Sequence, residues 1–209
     1  IGDTWWFFDP TGNAFFAIGT DHVNYEGHQC EKLGYAPYNR NCERIYGSEA
    51  KWADSTTKRL IAWGFNCLAS NSSFSVRYRG LAHQENVGLG RGFLELEHIP
   101  YRTTWGGLPN VFIPEFQEYC EKEALQRCAP NAHDPWLIGY FIDNELDWHA
   151  YRRGGLFVDT VRQPADHPAK LALVNLLKQR HATAVSFNAA WGTRLARLED
   201  LLGMTGMPR

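Results

Sequence analysis

Apolar side chains run almost without a break from Trp136 to Ile142, and the run ends abruptly at Asp143-Asn144-Glu145. A stretch of that kind predicts a strand covered on both faces, as in a parallel sheet. Two shorter runs, Trp5–Asp9 and Ala14–Gly19, flank Pro10-Thr11-Gly12-Asn13 and predict a β-hairpin. The second of them opens into Thr20-Asp21-His22 and reads as the first strand of the sheet. Phe65–Ala69 predicts the second strand, leading to Ser70-Asn71, and Ile99–Thr104 the third, leading to Trp105. Trp136–Ile142 is then the fourth.

Helical periodicity fills the gaps. Ser48 caps a segment reaching Trp63, with Trp52, Thr56, Leu60 and Trp63 on one face. Pro114 opens another, whose inner face carries Phe116, Cys120, Ala124 and Cys128. A third spans Pro168–His181 with Leu171, Val174 and Leu177 on its buried side. Residues 24–47 show no sustained period and predict a long functional loop, and residues 74–97 predict an irregular crossover or a short helix. Strands alternating with helices imply an α/β fold with a parallel sheet. About four β/α units are half of a TIM-type (β/α)8 barrel. The expectation is therefore one incomplete domain over residues 1–209: the amino-terminal half of a barrel, with an amino-terminal hairpin whose first strand is a lid on its floor or a strand from a preceding module.

Composition narrows the function. The 209 residues carry a net charge of −2, which gives no electrostatic case for nucleic acid or an anionic membrane. No apolar run approaches the roughly 20 residues of a bilayer span. Aromatic residues make up 14% with eight Trp, which suits stacking on sugar rings or equally a large aromatic core. Cys120 and Cys128, two helical turns apart, lie roughly 12 Å from one another, too far for a disulfide. Cys30 and Cys42 could pair in an exported protein. No His/Cys spacing suggests a metal, and no phosphate loop, nucleotide fingerprint or serine elbow is present, so no cofactor is expected.

Three segments carry a resemblance. Trp6-Phe7-Phe8-Asp9-Pro10-Thr11-Gly12-Asn13-Ala14-Phe15-Phe16-Ala17-Ile18-Gly19 resembles the opening of the catalytic barrel in β-agarases of glycoside hydrolase family 50. Gly139-Tyr140-Phe141-Ile142-Asp143-Asn144-Glu145-Leu146-Asp147-Trp148 resembles their fourth strand, and Phe187-Asn188-Ala189-Ala190-Trp191-Gly192-Thr193 a segment shared with β-galactosidase-like enzymes of the same clan. The resemblance implies a retaining hydrolase of a galactose-containing polysaccharide such as agarose, secreted or periplasmic. Glu145 would be its acid/base, and Asn144 the amide that holds a sugar 2-hydroxyl. The family's nucleophile sits near the end of a seventh strand, which this sequence does not contain. The missing half is expected from further chain or from a second subunit, as in a homodimer. The alternative is a half-barrel without the nucleophile that binds carbohydrate or self-associates.

The residues allow a finer reading. A proton donor needs a raised pKa, which a half-enclosed aromatic site supplies by desolvation. Asp143 should point away from Asn144 and pair with an Arg or cap a helix. Asp143 and Asp147 both stand too close to Glu145 in the chain to reach the opposite side of a sugar ring. Asp21, His22 and Asn71, each after a strand, bind sugar hydroxyls or hydrogen-bond within their own loops. Trp105 and Trp148 are the stacking candidates, with Tyr25 as a further one. Trp5 and Trp6 read as core or floor, and Arg77, Arg79, Arg152 and Arg153 as solvated charges.

Overall fold

The computed structural model describes residues 2–103, 108–146 and 155–206. Trp105, Asp147, Trp148, Arg152 and Arg153 lie outside the described residues. The predicted hairpin forms as β1 (Phe7–Phe8) and β2 (Ala14–Phe15), antiparallel with Phe7 opposite Phe15. Asp9 closes its turn, accepting from the Thr11 hydroxyl and from the N–H groups of Thr11 and Asn13. These bonds, the Thr11 hydroxyl foremost, hold the Asp9 carboxyl down at about 2. The apolar run that read as one strand through Gly19 divides here. The Asn66 side chain accepts from the Ile18 N–H and donates to the Phe16 carbonyl, so the chain leaves the hairpin and restarts as β3 (Gly19–Thr20).

β3 begins a four-stranded parallel sheet in the order β3-β4-β5-β6, with β4 at Cys67–Leu68, β5 at Ala82–Asn86 and β6 at Leu137–Phe141. The hairpin lines a groove with Asn66, Ala82 and Trp136, at the amino ends of the strands, which agrees with its expected place on the floor. Trp5, however, is 98% exposed and Trp6 is also exposed, so neither belongs to a core among the described residues.

Helices follow the strands. α1 (Pro37–Tyr46) and α2 (Glu49–Ala62) separate β3 from β4. Ser48 caps α2 by accepting from the Lys51 N–H, as its sequence position implied. α3 (Leu89–Leu94) and α4 (Pro114–Glu123) lie between β5 and β6, and α5 (Gly155–Arg162), α6 (Pro168–Arg180) and α7 (Ala184–Trp191) follow β6.

Several expectations need correction. The third strand is Ala82–Asn86, not Ile99–Thr104. Within the latter, Tyr101 takes a left-handed backbone (φ 55°) and Thr103 forms only an isolated bridge with Pro109. The presumed loop 24–47 contains α1. The last turn of α4 widens to a π-helix over Ala124–Cys128, which breaks the spacing of four and leaves Ala124 exposed. Leu171 is exposed, whereas Val174 and Leu177 are buried as read. Cys30 and Cys42 are both free thiols.

The chain divides into two compact units. The first runs to Val87 and adds Pro130–Phe141; it holds the sheet. Its core gathers Tyr25, Trp52, Leu60, Leu68, Val76 and Leu81. At the amino end of its β5, His83 is buried with Nε2 3.5 Å from Asp134 Oδ2, which also accepts from the Tyr78 hydroxyl at 2.7 Å. Arg77 pairs with Glu85 and Arg79 with Asp54, so these two basic residues are partnered rather than merely solvated. The second unit comprises Gly88–Ala129 and the chain from Ile142 onward. Its core is built on Val174, Leu177, Phe187 and Leu201.

Two buried imidazoles give the fold a pH dependence. His83 in the first unit is held below the usual histidine value of 6.5, chiefly by burial and then by the Arg77 guanidinium; burial does the same to His167 in the second. The folded protein therefore binds these protons less readily than the unfolded chain, and stability falls as pH drops below the ordinary value. The thermal midpoint is expected to decline between about pH 7 and about pH 5, and His83→Gln to flatten the slope. Identical slopes for the parent and the variant would contradict this assignment for His83.

Candidate active site

β6 delivers Asp143-Asn144-Glu145 directly. In the second unit the Leu89 N–H donates to the Ile142 carbonyl at 2.7 Å. Asp143 then turns onto the first turn of α3 and accepts from the N–H groups of Gly90 (2.7 Å, Oδ2) and Arg91 (3.0 Å, Oδ1). The sequence reading offered this residue an Arg or a helix cap, and it caps a helix. A carboxylate satisfies donors that the helix leaves unpaired, and its charge suits the positive end of the helix dipole. Both Asp143 oxygens are engaged by this cap.

Asn144 and Glu145 are exposed, and Glu145 takes a left-handed backbone with φ 51°. A non-glycine residue there is strained, and strain of this kind concentrates at functional sites. Glu145 borders a cavity of ≈ 560 Å³ in the second unit, walled mainly by apolar residues including Leu108, Val111, Phe112, Phe116 and Leu156. The side chain is thus beside an apolar cavity without being enclosed in the way the sequence reading anticipated. The arrangement offers one carboxyl for proton transfer and an apolar wall for the C–H face of a sugar.

The first unit brings together the other three described candidates. Asp21 follows β3 and grips His22 twice, through the backbone N–H and through Nδ1, each at 2.8 Å. His22 (φ 54°) and Asn71 (φ 65°), which follows β4, are left-handed as well. Their loops are stitched together: Val23 N–H donates to Ser72 Oγ, Ser73 N–H to the Val23 carbonyl, and Tyr25 N–H to Ser73 Oγ. Tyr25 itself is buried with its ring centroid 5.3 Å from that of Trp52, so it is a core residue and not a stacking platform.

No family model matches the chain. Among curated proteins it is 28% identical over 205 residues to β-agarase B of Vibrio sp. (strain JT0107), covering 90% of this chain and 21% of the relative. It is 23% identical over 248 residues to β-agarase A of the same organism, covering 92% and 25%. The chain is a distant homologue of the family 50 β-agarases. Solved structures agree on the fold: PfGH50B (TM-score 0.74, 20% identity), an agarase, AgWH50C (0.69, 24%) and an exo-β-agarase (0.69, 20%) each cover 100% of this chain. The chain spans 21–25% of the length of these curated relatives and 38–40% of these solved chains, as part of the relatives' TIM barrel.

Against the agarase-like background, Phe187–Thr193 proves to be scaffolding. Phe187 is buried, and Trp191 stacks on Phe157 with centroids 4.9 Å apart. Asn188 accepts from the Leu195 N–H and the Thr193 hydroxyl and donates to the Leu195 carbonyl, which fixes the turn after α7. The sequence reading missed the Asp143–α3 contact partner, Gly90. A Cβ at Gly90 would lie 2.8 Å from Asp143 Oδ2 and 3.0 Å from Pro109 Cγ. Gly90→Ala is therefore expected to displace the cap and destabilise the protein by about 1–3 kcal/mol, read from denaturant unfolding. An unchanged midpoint would show that Asp143 moves aside freely.

Proposed function

We propose that this chain is the amino-terminal half of a retaining glycoside hydrolase barrel acting on a galactose-containing polysaccharide such as agarose, with Glu145 as general acid/base. The observation that carries the reading is Glu145 itself: a strained carboxylate just past the fourth parallel strand, beside an apolar cavity, in a chain related to β-agarases. Parallel barrels keep their chemistry at the carboxyl ends of strands. Asn144 holds the sugar 2-hydroxyl, and Asp21, His22 and Asn71, each following a parallel strand, bind further hydroxyls.

In the first step Glu145 protonates the glycosidic oxygen as the bond to the anomeric carbon breaks; in the second it takes a proton from the water that releases the sugar. The partner nucleophile, about 5–5.5 Å away in a retaining site, comes from polypeptide that completes the barrel, either further chain or a second subunit. The test is hydrolysis of agarose by the complete polypeptide and by its Glu145→Gln variant. Undiminished activity in the variant would end the proposal.

A further inference from the structure

A second cavity, of ≈ 490 Å³, lies wholly within the first unit and is lined by His22, Asn24, Gly27, His28, Pro37 and Tyr38. Its size falls in the range of small-molecule sites, roughly 300–1,000 Å³. Its wall is the loop from β3 to α1 together with the first residues of α1, and the loop is held in place. Asn24 Oδ1 accepts from the N–H groups of Glu26 and Gly27, and Asn39 donates to the Tyr25 carbonyl. Gly27 (φ 63°) sits so close to α1 that a Cβ there would come within 2.9 Å of Tyr38 Cβ.

Tyr38 decides the chemistry. Burial pushes its pKa up. The residue lines the cavity and is 52% exposed, so it brings an accessible aromatic ring to the wall. Around that ring stand groups that hydrogen-bond: His22, whose Nδ1 is taken by Asp21 and whose Nε2 is then an acceptor in the neutral tautomer, with His28 and Asn24. Among the described residues no Lys or Arg lines the cavity, and Asp21 beside His22 disfavours an anion.

We infer that this cavity is a saccharide subsite, in which the Tyr38 ring stacks on the C–H face of one neutral pyranose of the galactan while His22, His28 and Asn24 bind its hydroxyls. The inference rests on the agarase-like reading and adds Tyr38 and His28 to it as residues that set substrate affinity.

Calorimetry with neutral agarose-derived oligosaccharides tests it, using the complete polypeptide in a Glu145→Gln background so that the sugar is not consumed. Tyr38→Ala is expected to weaken binding about tenfold, the loss of one aromatic contact. Tyr38→Phe should bind much as the parent does, because it keeps the ring that stacks on the sugar. His28→Ala, an exposed position that does not threaten folding, should weaken binding several-fold. Equal affinity in the parent, Tyr38→Ala and His28→Ala would overturn the subsite while leaving the agarase-like reading standing. A parent that binds no galactan oligosaccharide would overturn both.

Discussion

Glu145→Gln in the complete polypeptide is expected to lower agarose hydrolysis by about a hundredfold to ten-thousandfold, the usual contribution of a positioned acid or base. Glutamine keeps the shape and the hydrogen-bonding reach of glutamate but has no proton to give to the departing oxygen. The deficit should depend on the leaving group. An aryl β-galactoside with an acidic phenol departs without protonation, so its glycosylation step should be far less impaired than that of the polysaccharide. Its second step still needs a base, so intermediate should accumulate and a burst of phenol should appear. A loss that is equal for both substrates, with no burst, would assign Glu145 to substrate positioning instead.

Phe93→Ala carries the largest expected effect on stability, about 3–5 kcal/mol, which corresponds to a fall in thermal midpoint of roughly 10 °C. Phe93 is fully buried on α3 and meets the rings of Phe116 and Tyr119 on α4, with centroids 5.1 and 5.6 Å away. Those contacts anchor the short helix whose first N–H groups hold Asp143, two residues before Glu145. Turnover is therefore expected to fall at temperatures where the parent is fully active and the variant still folded. Differential scanning calorimetry paired with activity at each temperature checks both parts. A variant that melts within about 2 °C of the parent would show that the α3–α4 contact stabilises far less than its burial implies.

How much the sequence disclosed follows from chemistry at each element. β6 was legible because its run is apolar and ends in a sudden polar triplet. α2 was legible because Ser48, the stripe of Trp52, Thr56 and Leu60, and Gly64 mark its start, face and end. β5 was not, because Ala82-His83-Gln84-Glu85-Asn86 is polar on successive positions. Glu85 and His83 on it are paired with Arg77 and Asp134, tertiary partners that no local pattern reveals. α1 was hidden because Pro37, Asn39 and Asn41 are residues that favour turns, although Pro37 is well placed in a first helical turn. For the proposed site, Glu145, Asn144, Asp21, His22 and Asn71 were singled out from their places after strands. Tyr38 and His28 were not, because the cavity they line depends on Gly27 letting a loop close against a helix that the composition concealed.

The left-handed backbone at His22, Asn71 and Glu145 also bears on the history open to this chain. Valine, isoleucine and threonine fit such geometry poorly, whereas glycine, asparagine and aspartate enter it readily. Divergence at these positions is therefore channelled toward a small alphabet by the main chain, before any demand from the reaction is felt. A lineage free of any demand on these side chains would be expected to drift toward glycine there, relaxing the backbone.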